Sequence, residues 1–292
     1  MDGFLLLFKE KGISSNQLVQ KVKKLLSLKK VGHLGTLDPM AEGLLVLALN
    51  RATRFSSFFL NSDKVYQANV KLGSKTDTDD ALGKIINSSD QIPTEIEIDS
   101  ALKSFIGISK QEAPFFSALK HKGRPLYKYA REGKYISKPP REINIFSIKN
   151  IKHTFMECSF RIHCSKGTYI RSIARDLGDN LGCGAHLCGL KRISQGVFNI
   201  EDSKSDEEID EFTLSPESFL LKLCGYERSD EFSGIEGCSG IQSSGHLFFC
   251  SPGKYLPARS YRFLIFLSKW MIFLQKARRR SMSTSEFEEG RK

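Results

Sequence analysis

The sequence predicts a fold that mixes helices and strands, on three observations. Leu18, Val19, Val22, Leu25 and Leu26 recur at the spacing of one helix face, directly after Ser14-Ser15, a pair suited to capping a helix. Between Val65 and Leu72 the pattern changes to alternation, with Tyr66, Ala68 and Val70 on one face of a strand. Segments of both kinds are interspersed along 292 residues, 40% of them hydrophobic, enough for one large domain or two ordinary ones.

Taken in order, Phe4–Lys9 reads as a first strand, and the capped helix follows. After a glycine-punctuated loop come a buried strand, Leu44–Leu49, a short helix near Ala52–Leu60 and the alternating strand. Thr76–Asp80, TDTDD, is a polar loop; it lacks the glycine and distal glutamate of an EF-hand, so no calcium site is expected. Asp99 is placed to cap a helix running through Phe105. Residues 111–140 form a basic, aromatic-rich segment whose Gly and Pro residues mark an insertion over one face. Two strands, Glu142–Ile151 and Phe155–Cys164, precede a helix at Thr168–Leu181 that sets Arg171 and Arg175 one turn apart. Ala185–Ile193 is another apolar strand. Glu201–Glu211, with seven acidic residues, reads as a solvated linker, and Pro216–Leu223 as a short helix. Ser233–Gly245 is rich in Ser and Gly, Phe263–Leu274 is apolar and Lys276–Arg280 basic; no repeat emerges.

The most constrained stretch is Val31–Gly43, VGHLGTLDPMAEG. Pro39 pushes Asp38 out of the helical region, glycines 32, 35 and 43 open otherwise closed backbone angles, and Leu34, Leu37 and Met40 can anchor the loop to a core. A short carboxylate on a stiff loop suits catalysis, which needs a charge held in place before its target arrives. By spacing alone, Asp before Pro reads more readily as an ordinary turn.

Charge narrows the partner. Residues 110–195 hold 17 Lys/Arg against 6 Asp/Glu, while the segments on either side are close to balanced, so the whole formal excess of +11 sits in one third of the chain. A concentrated basic surface suits a polyanion such as RNA. Within it Phe115, Phe116, Tyr127, Tyr129 and Tyr135 interleave with cations, a mixture that stacks bases and meets phosphates. Seven cysteines without framework spacing suggest a reducing compartment. Their spacing with His163 and His186 fits no paired zinc-ligand pattern. MDGFLLLFKE has no basic leader, and the 12-residue apolar run contains Lys269 and is shorter than a membrane span, so a cytoplasmic protein is expected.

In several ordered blocks over roughly residues 3–223 the chain resembles the TruB family of tRNA pseudouridine synthases. The blocks are GFLLLFKEKGISSN (3–16), GHLGTLDPMAEG (32–43), KVYQANVKLGSKTDTDD (64–80), APFFSALKHKGRPLYKYAREG (113–133), CSKGTYIRSIARDLG (164–178) and GCGAHLCGLKR (182–192). The resemblance implies an α+β catalytic domain over about 1–212, built on a central mixed, mostly antiparallel sheet flanked by helices. It leaves 213–292 as a C-terminal region, read as a degenerate PUA-like domain or a partly disordered tail. It implies isomerisation of uridine 55 in the tRNA T loop, by base flipping, without cofactor or metal. Where the family usually has Asp-Lys-Pro, this chain has Phe8-Lys9-Glu10.

Carried over residue by residue, the resemblance makes Asp38 the catalytic aspartate, Arg171 its buried partner and Tyr66 the tyrosine that stacks on the target base. His33 would stand beside the flipped nucleotides, and Tyr169 and Leu190 would line the uridine pocket. Lys64, Lys120, Lys122, Arg124 and Lys128 are candidates for the RNA backbone. Without the family, Tyr66, Tyr169 and Leu190 read as core, Arg171 as a helix-surface arginine and His33 as a loop hydrogen-bonder. The expected partner is the tRNA T-stem-loop, with no obligate protein partner, for a monomer. Two other readings share the basic segment: a tRNA-folding chaperone without catalysis, and a guide-RNA-dependent relative that needs partner proteins.

Overall fold

The computed structural model describes residues 2–91 and 93–205. The remainder of the acidic run, the helix read at Pro216–Leu223 and the C-terminal region with its apolar and basic runs lie outside the described residues.

Strand β1 (Gly3–Lys9) leads into helix α1 (Ser15–Leu25), which Ser14 caps as expected in a reciprocal box with Gln17. Then come β2 (Val31–His33), β3 (Glu42–Leu49), a 3-10 turn, α2 (Ser56–Leu60) and β4 (Lys64–Leu72). A small hairpin, β5 (Ser74–Thr76) with β6 (Ile85–Ser88), precedes α3 (Glu95–Ser104) and β7 (Gly107–Gln111). Within the basic segment lie β8 (Lys120–His121), β9 (Arg124–Pro125) and α4 (Leu126–Ala130). The long strands β10 (Arg141–Thr154) and β11 (Glu157–Cys164) are followed by α5 (Ile170–Asn180), β12 (Ala185–Gln195) and β13 (Phe198–Asn199).

The main sheet runs β1-β3-β12-β4-β11-β10-β7, with β2 on β3 and β13 on β12. Every pairing is antiparallel except β12 with β3, so the sheet is mixed and mostly antiparallel. Strand β3 is covered on both faces. Leu45, Leu47 and Leu49 enter a large core with α1, α3 and α5, whereas Leu44, Val46 and Ala48 meet Phe4, Leu6, Phe59 and Phe198 on the other side. That is why its sequence is continuously apolar, while β4, with Asn69 and Lys71 exposed, alternates. Gly43 sits where β3 meets β12 with φ +103°, and a Cβ there would fall 2.4 Å from the Arg192 carbonyl. Glycine is required at that crossing.

Several expectations shift. Asp99 does not cap its helix: Thr94 does, with Glu97, and Asp99 instead binds His153 Nε2 at 2.9 Å. The helix expected at Ala52–Leu60 is a 3-10 turn over Asn50–Phe55 followed by the short α2. Strand β7 escaped the sequence reading because Gly107–Gln111 is an edge strand whose middle residues face solvent, leaving no apolar pattern. Among the described residues no helix is long and apolar enough to cross a membrane.

Candidate active site

The loop between β2 and β3 is fastened almost residue by residue. Leu34 donates its amide to Val46 O at 2.8 Å, and Gln195 Nε2 donates to Leu34 O at 2.5 Å. The Arg192 guanidinium donates to Gly35 O at 3.1 Å and to Thr36 O at 2.7 Å. Ser15, in the first turn of α1, holds Leu37 by both backbone groups. Gly12 N donates to Pro39 O at 2.8 Å, and the Lys9 ammonium to Ala41 O at 2.6 Å. Buried carbonyls need partners, and here the partners also fix the loop. Asp38 is thus carried on backbone that has little freedom left to lose.

Opposite it stands Arg171, second residue of α5. Its Nε lies 2.9 Å from Asp38 Oδ2, an ionic contact rather than a directed hydrogen bond. The other nitrogens donate to Thr78 O at 3.0 Å and Phe116 O at 2.9 Å, and Asp80 Oδ2 lies 3.6 Å away. The guanidinium is therefore tied to the TDTDD loop and to the basic segment as well as to Asp38. Only 4% of the Arg171 side chain is exposed, against 34% of that of Asp38. The cation is enclosed and the carboxylate faces the open side, so the guanidinium fixes the direction in which the carboxylate points.

That open side is a cavity of about 250 Å³ lined by Asp38, Tyr66, Tyr169, Arg171 and Leu190, with Lys64 at its wall. Tyr66 is 8% exposed; burial pushes its phenol up, and the neighbouring Arg192 cation opposes that push. Tyr169 heads α5, its backbone clasped by Gln111 on both sides (2.8 and 3.0 Å), with the Arg141 guanidinium 4.4 Å above its ring. Five residues expected at the site, from four separate stretches of the sequence, thus converge on one cavity.

His33 does not line the cavity. It is half-buried on β2, and burial, followed by Arg192, holds its imidazole below the usual range. Lys64 does not belong with the surface cations. It is 7% exposed, its ammonium donates to Leu60 O (3.0 Å) and Ser62 O (2.5 Å), and burial lowers its pKa to about 8. Lys120, Lys122 and Lys128 are exposed on the β8-β9-α4 unit, and Arg124 there is engaged by Glu132. Among the described residues no group of His, Cys, Asp or Glu is placed to hold a metal ion. Burial pushes the Cys158 and Cys164 thiols up to about 12.

Four residues at the site were not singled out in the sequence as site residues: Asp80, Arg141, Arg192 and Ser15. Asp80 stood in the loop considered for calcium; it is a buried acceptor for Thr78 Oγ1 (2.7 Å) and the Leu82 amide (3.0 Å) and a second anion for Arg171. Arg192 carried a signal, an arginine inside an apolar strand, since a buried charge has to have partners.

Fold and site define a protein of mixed, mostly antiparallel sheet in which a guanidinium-paired carboxylate opens onto a cleft that the basic segment helps to line. The model of the TruB family pseudouridylate synthase N-terminal domain matches residues 23–170, which hold Asp38 and Tyr66 and stop one residue before Arg171. A tRNA pseudouridine synthase B of Blochmanniella pennsylvanica is 48% identical over 68% of this chain and 76% of its own. One from Methylobacillus flagellatus is 44% identical over 76% of this chain and 73% of its own. Among solved structures, an H/ACA ribonucleoprotein bound to a substrate RNA containing 2′-deoxyuridine superposes with TM-score 0.54 at 27% identity, over 77% of this chain. The chain spans 56% of that structure's chain. This chain belongs to the TruB family and is a pseudouridine synthase.

Proposed function

We propose that the enzyme isomerises uridine to pseudouridine at position 55 in the T loop of tRNA, with Asp38 acting on the sugar. The Asp38–Arg171 pair, 2.9 Å apart and open to a cavity that Tyr66 and Leu190 also line, carries this reading. The tRNA substrate is supported by the relatives named tRNA pseudouridine synthase B.

The reaction breaks the bond from ribose C1′ to N1, turns the base and joins C1′ to C5; the C5 hydrogen leaves to solvent and N1 gains a proton. Positive charge develops at the sugar as the first bond breaks, and the Asp38 carboxylate can trap it at C1′ or take a sugar proton to give a glycal. Arg171 keeps the carboxylate aimed. Tyr66 stacks on the base and assists proton transfer at C5, and Leu190 and Tyr169 line the base pocket. The uridine reaches the cavity by flipping out of the T loop, which costs a few kcal/mol. His33 stands beside the flipped nucleotides, and Lys120, Lys122, Arg124 and Lys128 offset that cost along the phosphates. The enzyme works as a cytoplasmic monomer on the T-stem-loop without a protein partner, its catalytic domain ending near residue 212.

In the test, purified chain acts on a T-stem-loop RNA carrying tritium at uridine C5. The parent enzyme releases tritium and Asp38→Asn releases none while still binding. Turnover by Asp38→Asn refutes the assignment. Binding without product by the parent points to a folding chaperone, and activity only with added guide RNA and proteins to a ribonucleoprotein subunit.

A further inference from the structure

Among the described residues Arg192 is the largest fully buried side chain, 1% exposed, yet it lines the same cavity as Asp38. An arginine so enclosed needs strong compensation, usually from a carboxylate. Among the described residues its hydrogen-bond acceptors include none. They are Gly35 O (3.1 Å), Thr36 O (2.7 Å), Leu44 O (3.4 Å) and Gln195 Oε1 (3.2 Å), and its Nε has no partner. Two of the four belong to the residues immediately before Leu37-Asp38. Gln195, fully buried itself, extends the grip to Leu34 O at 2.5 Å and Phe59 O at 3.0 Å. In the sheet Arg192 is paired with Gly43 on one side and Tyr66 on the other, and its guanidinium carbon stands 5.6 Å from the centre of the Tyr66 ring. One side chain therefore touches the backbone that carries Asp38 and faces the ring assigned to the base.

We infer that Arg192 is a positioning residue for the isomerisation: its guanidinium fork fixes the Asp38 loop against β12 and ties that loop to Tyr66. The inference rests on the reading of Asp38 and Tyr66 above. The geometry matters more than the charge. A planar fork reaches two successive carbonyls at once, which a lysine ammonium on one flexible stem does not do. Its charge reaches the same neighbourhood: after burial, the Arg192 cation is the next influence holding the His33 imidazole and the Lys64 ammonium below their usual ranges.

The test compares Arg192→Lys, Arg192→Ala and Asp38→Asn in the full chain, using the tritiated T-stem-loop, single-turnover kinetics and direct binding. Arg192→Lys keeps the fold by circular dichroism and binds RNA within about threefold of the parent, while its single-turnover rate falls about 100-fold, the scale of an ångström misplacement of a reacting group. Guanidinium ion at tens of millimolar restores at least part of the Arg192→Ala rate, about tenfold, by entering the space the side chain leaves. A folded Arg192→Lys enzyme running within threefold of the parent overturns the inference. So does a loss confined to RNA affinity, or a folded Arg192→Ala enzyme that guanidinium leaves unchanged. If Arg192→Ala does not fold, Arg192→Lys decides alone. An active Asp38→Asn enzyme sinks the reading of Asp38 instead, whatever the Arg192 variants do.

Discussion

The Ser15 hydroxyl closes a two-bond ring on Leu37: it donates to the Leu37 carbonyl at 2.9 Å and accepts from the Leu37 amide at 2.8 Å. Ser15 is 2% exposed and Leu37 directly precedes Asp38, so the first turn of α1 sets the position of the Asp38 loop. Ser15→Ala leaves a buried donor and acceptor unpaired. The expected cost is about 2 kcal/mol, read as a lower urea midpoint with unchanged slope. Because the loop gains freedom, the single-turnover rate falls about tenfold more than RNA affinity does. An unchanged midpoint and rate would show that the loop is held without this contact.

Asp79 gives the fold a pH signature. Burial raises its carboxyl from 3.8 to about 6, against the opposing attraction of Arg175, whose NH1 lies 3.2 Å away. A carboxyl with a raised folded-state pKa binds its proton more tightly when folded, so its contribution to stability declines as pH rises from about 4 to about 6 and is level above. Denaturant titrations should show the parent losing stability relative to Asp79→Asn across that window. Parallel curves for the two proteins would rule Asp79 out as the origin.

RNA binding separates the exposed cations from the buried one. Lys120, Lys122 and Lys128 face solvent on the β8-β9-α4 unit, whereas the Lys64 ammonium is occupied by two carbonyls. Each surface lysine that meets a phosphate contributes roughly one to the slope of log affinity against log salt. Alanine at any of the three should lower the magnitude of that slope by about one with little effect on single-turnover rate. Lys64→Met should leave the slope alone and change the fold's behaviour at high pH. The burial-lowered pKa of about 8 means the unfolded chain holds that proton further up the scale, so the parent gains stability between about 8 and 10.5 and the variant does not. A flat salt response in the parent would contradict the basic-surface reading as a whole.

Local pattern was legible wherever one residue type answers one local demand. The capping pair at Ser14, the alternation of β4, the continuous run of β3 and the stiff Asp38 loop all follow from side-chain periodicity and backbone restriction, and the ordered blocks carried the family and its pairing of Asp38 with Arg171. Beyond local pattern, only the three-dimensional arrangement decided the rest. Lys64 reads as one more surface cation until β4 turns its ammonium onto carbonyls. Asp80 reads as loop until α5 brings Arg171 beside it, and Arg192 reads as the end of a strand until β12 sets it beside Tyr66 and onto the carbonyls of Gly35 and Thr36. Sequence spacing fixes which face of its own element a residue occupies. What that face meets depends on contacts made from opposite ends of the chain, and burial, ion pairing and reach into a cavity are properties of those contacts alone.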